Sequence, residues 1–434
     1  MPTATRGAAA LILLGALLAQ APLAAAYQPN DPGYRSAPVV SPPDPSTAPT
    51  SAPTAVPTVV PTSTPSVPPD PQPTSVDDKY PPVAHSWSEL AQQVEQTSPS
   101  DPMLRVSTAE QAAQVMRCFK LEEENYCLGL GFVDQIPTGA QISAAVTSPE
   151  VAEEVGVEQD IDTGDQSPVA FVSQRAAMPK GLRIAAELDE MQTAWDGRDK
   201  ARALRLFDAP SATTATPPTI PATPTAPPTT TGPTPTRSTP SGPASPTAPK
   251  PLPSSAYIMN GYQTSQDKGY WCGPATFQSI DWADDQQKDT QASWAKDLGS
   301  TTSGTGISAM VEQTNLKTKW DLAAGTYIVQ SVKGWTAQKF LAVHQRHLGD
   351  AAPAPVIEHV QLLKRYFPYL AFNHSGHYQV GRGYDMNKGT IGIFEVFNER
   401  RFNSRGNTTN GPKNIPASAM LNATLANSFK NIGL

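Results

Sequence analysis

The chain has 434 residues, 46 of them proline, and a formal net charge of −7. That acidic balance speaks against a nucleic acid or an anionic membrane surface as partner. The length allows two or three domains, but the proline content implies that much of the chain is not packed.

Residues 1–26 read as a secretory signal peptide: Arg6, then the short apolar stretch AALILLGALLAQAPLAA, then Ala24-Ala25-Ala26, with cleavage expected after Ala26. No second apolar run approaches the roughly 20 residues of a membrane span, so the mature protein is expected to be secreted, with no span of its own. Residues 27–77 and 209–255 are Pro/Thr/Ser-rich. Such segments cannot bury enough apolar surface to offset chain entropy, and both read as disordered, polyproline-like linkers. They frame two folded pieces, 78–208 and 256–434.

In the first piece, SWSELAQQVEQ and STAEQAAQVMRCF read as short amphipathic helices, the second capped by Ser107 with Glu110 three residues on. CLGLGFVDQI suggests a strand, and PKGLRIAAELDEMQTAWDGRDKARALRLF a longer closing helix. The expectation is a separate small mixed α/β domain; it carries no nucleophile beside a base, and its function is not legible. Cys118 and Cys127 bracket FKLEEENY, and outside the cytosol a disulfide is the preferred reading over two free thiols.

The second piece is long enough for one buried core. ATFQSIDWADDQ, ISAMVEQTN and WTAQKFLAVHQRHL read as helices; PAPVIEHVQL, HYQVGRGYD and GTIGIFEVF read as strands. The last two enclose MNK beside a glycine, a hairpin signal. Gly304-Thr305-Gly306 reads as a turn and cap ahead of ISAMVEQTN. Helices followed by antiparallel strands is an α+β order.

Cys272, the odd cysteine, stands in GYWCGPATFQSI. Gly273 lets the backbone turn, and Pro274 suits the first turn of a helix, so Cys272 is expected at a helix start, where unpaired N–H groups favour a thiolate. Those N–H groups and a side-chain donor can hold an oxyanion. Gln266, in the chain leading into the helix, is the first candidate donor and Gln263 the second. A base is then required. His85 lies in the first piece, His344 and His347 sit on a helix, His359 is inside an alternating run, and His374 precedes a strand that His377 begins. His377 is the preferred base, with Glu395 or Asn398 to orient it.

GYWCGPAT, the GT of SGTG, GHYQVGRGYD and the acidic return strand together resemble papain-like cysteine peptidases of the bacteriocin-processing (double-glycine leader peptidase) type. The likeness is to the secreted, stand-alone members and spans about residues 256–415. It implies a papain-like α+β domain with Cys272 as nucleophile, Gln266 as oxyanion donor and His377 as base. The third member in that family is usually an aspartate, where this chain has Glu395, with Asn398 as the substitute. The implied activity is hydrolysis of peptide bonds through an acyl-enzyme, after small residues such as glycine, in a monomer that takes a peptide or protein substrate. No cofactor is expected. The spacing of His344 and His347 with His374 and His377 invites zinc, but no matching carboxylate is evident and no metal site is expected. Two rivals stand beside this reading: a cell-wall-associated peptidoglycan amidase or endopeptidase of the same fold, and a catalytically silent surface-binding protein.

Overall fold

The computed structural model describes residues 81–100, 103–147, 162–207 and 251–434. The leader, the first linker and residues 209–250 of the second lie outside them. Residues 81–207 supply β1 (Val83–Ala84), α1 (Trp87–Thr97), α2 (Thr108–Val115), β2 (Cys118–Leu121), β3 (Glu124–Cys127), β4 (Gly131–Val133), α3 (Gly139–Thr147), α4 (Pro168–Ala177) and α5 (Lys180–Leu206). Residues 251–349 supply β5 (Ser255–Tyr257), α6 (Cys272–Asp285), α7 (Gln291–Asp297), α8 (Ile307–Lys317), α9 (Trp320–Ala324), β6 (Val329–Ser331) and α10 (Ala337–Gly349). The rest forms β7 (Val356–Gln361), β8 (Gly376–Asp385), β9 (Thr390–Glu395), α11 (Glu399–Phe402), β10 (Gly411–Pro416), α12 (Ala417–Ala426) and β11 (Asn431–Gly433).

Several of these ends follow from local chemistry. The Ser107 hydroxyl accepts the Glu110 N–H while the Glu110 carboxylate accepts the Ser107 N–H, so both orphan donors at the start of α2 are met. The helix read over STAEQAAQVMRCF ends early, at Val115. Cys118 and Phe119 pass into β2, where Phe119 and Leu121 point into the core and Cys118 stands opposite Cys127. The β8–β9 hairpin turns where the Asp385 carboxylate accepts the N–H groups of Asn387 and Lys388 and where Gly389 takes φ 64°.

Among the described residues the strands form one mixed 11-stranded sheet in the order β1-β2-β3-β4-β6-β11-β7-β8-β9-β10, with β5 against β8. The β1–β2 and β4–β6 pairings are parallel and the others antiparallel. Residues 81–207 therefore do not build a sheet of their own. Phe132 of β4 pairs with Gln330 of β6, and the Asn431 side chain donates to the Leu130 carbonyl. One core runs through both segments, from Leu90, Phe119 and Met191 to Ile328, Phe367 and Ile432. Gly197 of α5 lies so close to Ile328 that an added Cβ would overlap it. A second core packs α6 and α8 against one face of β7, β8 and β9 through Phe277, Ile280, Met310, Tyr378, Val380 and Phe394. No helix among the described residues is long and apolar enough to cross a membrane.

Cys118 and Cys127 are joined in a disulfide across the β2–β3 hairpin. Closing a loop of this length restricts the unfolded chain by about 2–3 kcal/mol. Urea unfolding of the native protein with and without dithiothreitol should show a loss of that order on reduction. An unchanged midpoint would mean that the hairpin is held by its ladder alone.

Candidate active site

Cys272 is the first residue of α6, with Trp271 at the N-cap position and no side chain capping it. The helix lies on β8: Thr276, one turn on, donates its hydroxyl to the Tyr378 carbonyl at 3.1 Å. Cys272 shares its core with Tyr378, Val380 and Phe394 on one face of β8 and β9. The side chains of His377, Gln379 and Glu395 lie on the other, so in this state the structure does not bring the His377 ring and the sulfur together.

His377 is buried at the start of β8, and its Nε2–H donates to Glu395 Oε1 at 2.7 Å. Its Nδ1 has no hydrogen-bond partner among the described residues. Glu395 closes β9, and the register with Val380 opposite Phe394 sets it on the face of the sheet that carries His377 and Gln379. Its Oε1 accepts from His377 Nε2–H and from the Phe397 N–H at 2.8 Å. Its Oε2 accepts from the Tyr369 hydroxyl at 2.8 Å and from Gln379 Nε2 at 2.7 Å. All four acceptor positions of the carboxylate are in use. Burial pushes the Glu395 carboxyl up, but the charge and hydrogen bond of His377, with the Phe397 N–H and Tyr369 hydroxyl, outweigh it and hold the group below its ordinary 4.5.

The other histidines are engaged differently. In α10, His344 faces two acceptors, the Phe340 carbonyl at Nδ1 and Glu358 at Nε2, so both ring nitrogens carry protons. Burial works against that charge, but Glu358 keeps its pKa raised. His347 meets the Pro355 carbonyl, and burial holds its pKa well below the usual histidine value. His359 of β7 lies between the Asn431 amide oxygen at 2.8 Å and Asp165 at 2.9 Å. His374 donates to Glu399, whose carboxylate also gathers the N–H groups of Ala371, Phe372 and Asn407 and so shapes the loop leading to β8. The four histidines whose spacing invites zinc thus each have a protein partner of their own. Among the described residues no group of three His, Cys, Asp or Glu side chains could hold a metal.

The remaining sequence-derived candidates fall apart from this centre. Gln266 is buried beside the start of α6, but its amide N–H groups donate to the Lys268 and Gly269 carbonyls, which leaves neither for an oxyanion in this state. Asn398 stands at the N-cap of α11 without a side-chain cap bond, and its Oδ1 has no partner among the described residues. Glu395, not Asn398, meets His377. No hydrogen bond joins Gln263 to Cys272 among the described residues.

Sequence reasoning missed a segment altogether. Asp162–Gln166, from the first piece, runs over Cys272. The Cys272 N–H donates to the Thr163 carbonyl at 3.2 Å, and Asp165 pairs with Thr305 of the Gly-Thr-Gly turn. Cys272 is fully buried. Burial pushes its thiol well above the ordinary 9.0, and the Asp165 charge pushes it further; the Tyr378 N–H pulls back, Asp162 adds to the rise, and the Gly273 N–H opposes it. The helix N-terminus is outweighed, and the sulfur is a neutral thiol in this state. No local pattern in the sequence announces this contact; the only hint is the pair Thr163-Gly164 ahead of an acidic residue.

No family model matches the chain, and no curated protein or solved structure does either.

The Glu395 network makes a pH-dependent prediction. A carboxyl held below its ordinary value contributes stability that is present above about pH 4.5 and is lost as pH falls through its lower folded value. Glu395→Gln should cost on the order of 3 kcal/mol at pH 7, since it strips a buried imidazole of its partner. Urea unfolding at pH 7 and pH 3 should show the gap between variant and native protein closing at the acid end. A gap that stays constant would mean that the ionised carboxylate of Glu395 does not hold His377 in place.

Proposed function

We propose that this protein is a cysteine peptidase that cleaves amide bonds of exported peptides or proteins through an acyl-enzyme. The observation that carries the reading is the His377–Glu395 pair: Nε2–H of His377 donates to Glu395 and Nδ1 has no partner among the described residues, while Cys272 opens α6, the helix that packs on the opposite face of the same strand. An imidazole tied at one nitrogen and open at the other is in the tautomer that can accept a proton at the open one. The order of residues, GYWCGPAT before GHYQVGRGYD, agrees with the family resemblance.

The reaction requires His377 Nδ1, which in this state lies across β8 from the sulfur, to come within reach of Cys272; the thiol then passes its proton to that nitrogen and the sulfur attacks the carbonyl carbon. The tetrahedral oxyanion is held by the Cys272 N–H at the open end of α6. Collapse breaks the C–N bond, and the His377 imidazolium gives its proton to the departing amine. Water, deprotonated by the same imidazole, then hydrolyses the thioester and restores the thiol. Glu395 stays ionised and steadies the imidazolium through both half-reactions.

Because Asp162–Gln166 covers the sulfur, the test belongs in a Gly164→Ala background, in which an added Cβ would overlap the Tyr270 carbonyl. Hydrolysis of a peptide library and labelling by a peptidyl epoxide are expected there. Cys272→Ala should abolish both, and His377→Ala and Glu395→Gln should each lower the rate by roughly 10²–10⁴-fold. Purified peptidoglycan assayed beside the library identifies a cell-wall substrate. A thiol that iodoacetamide reaches, in a protein that cleaves neither, would leave a silent binding protein.

A further inference from the structure

Residues 162–166 belong to the first piece of the chain. Apart from a bond between the Gln166 and Gln174 side chains, their hydrogen bonds fall on the second piece or within the segment, all around Cys272. On the strand side, the Thr163 N–H donates to Ser375 Oγ at 2.9 Å, and its hydroxyl donates to the Gly376 carbonyl at 2.7 Å. The Asp165 N–H reaches the same carbonyl. On the helix side, the Thr163 carbonyl accepts the Cys272 N–H. On the third side, the Thr305 N–H donates to the Gly164 carbonyl at 2.9 Å and the Thr305 carbonyl accepts the Gln166 N–H at 2.9 Å.

The side chains lock this path. Asp165, buried, accepts from His359 Nε2–H at 2.9 Å and from Asn427 Nδ2 at 2.8 Å. Asp162 accepts from Ser375 Oγ at 3.2 Å and from the Gly164 N–H at 3.1 Å. Gly164 has φ +106°, and an added Cβ would overlap the Tyr270 carbonyl, so only glycine fits between the strand and the residues just before Cys272. The segment lies across the starts of α6 and β8, with its backbone paired as a bound extended peptide would be.

We propose that Asp162–Gln166 is an internal plug that keeps this enzyme latent: it occupies the place of the substrate, and the Thr163 carbonyl sits on the Cys272 N–H that the oxyanion requires. The proposal rests on the peptidase reading of Cys272 and His377 and adds its regulation. Activity then requires the plug to come away from the starts of α6 and β8. The segment's carboxylates, Asp165 and Asp162, leave with it, and both contribute to holding the sulfur protonated. The chain's two other cysteines are joined to each other, so any thiol chemistry on the native protein reports on Cys272 alone.

The experiment measures the rate of iodoacetamide alkylation of the full-length oxidised protein by mass spectrometry, with circular dichroism melts to follow folding. Native Cys272 should react far more slowly than the same thiol in urea. Gly164→Ala should speed the reaction about tenfold, the shift in the opening equilibrium that a left-handed non-glycine residue brings. The double variant Thr163→Val, Ser375→Ala removes the hydroxyl anchors without adding a clash and should speed it as well, which keeps the test alive should Gly164→Ala fold poorly. A native thiol that reacts as fast as in urea, or two folded variants that react no faster than the native protein, would overturn the plug. Peptide hydrolysis is read separately. Variants whose sulfur opens but which cleave nothing sink the peptidase reading and leave the plug standing.

Discussion

A carboxylate withdrawn from water is tolerated only when its lone pairs are met, and the buried Glu395 meets that condition with four donors. They come from three different segments: Tyr369 in the loop before β8, His377 and Gln379 on β8, and Phe397 just beyond β9. The network therefore forms only when β8 and β9 pair in their observed register and the loop ahead of β8 folds over them. Its consequence is chemical as well as structural. With Nε2 committed to Glu395, the imidazole of His377 keeps Nδ1 as its one unspent site.

Around that centre the protein repeats one device. Besides His377, three buried imidazoles are matched to a carboxylate, His344 to Glu358, His359 to Asp165 and His374 to Glu399, while His347 meets the Pro355 carbonyl. In a low-dielectric interior such pairs fix orientation because an unpaired member is costly. The pairs differ in what they leave over. His344 spends both nitrogens on acceptors, and His359 does the same between Asn431 and Asp165. His374 serves the loop that Glu399 gathers. His374 and His377 each leave Nδ1 without a partner among the described residues, and what sets His377 apart is its place at the start of β8, the strand on which α6 packs.

The continuous sheet gives the covering segment its leverage. Residues 81–207 contribute β1 to β4 to the same sheet as β6 to β11 and share its main core, and α4 packs directly after Asp162–Gln166, which holds that segment over the start of α6. Its backbone then completes pairing that Thr305 and Gly376 would otherwise lack. The burial that makes Cys272 a neutral thiol and the carbonyl on its N–H have one common source, the Asp162–Gln166 segment.

Much of the local structure was legible in the sequence because its causes are local. The Ser107–Glu110 box starts α2, Gly273-Pro274 opens α6, and the turn at Asp385–Gly389 closes a hairpin, each within a few residues. The sequence also placed Glu395 in reach of His377, since strand parity is all that pairing needed, but it did not show that the same parity turns His377 away from the face of β8 on which Cys272 lies. It left Glu395 and Asn398 undivided, because a difference of three positions matters only once the strand register and the bend after β9 decide which side chain reaches Nε2. It kept the two folded pieces separate, because a single bridge between Phe132 and Gln330 and a shared core have no signature in periodicity. It read Gln266 as a donor in reserve, while the fold spends that amide on the loop carbonyls beside it. The covering segment was decided by tertiary structure alone: its hydrogen bonds join residues far apart in the chain, and whether a backbone N–H is free or occupied depends on what the finished fold lays across it.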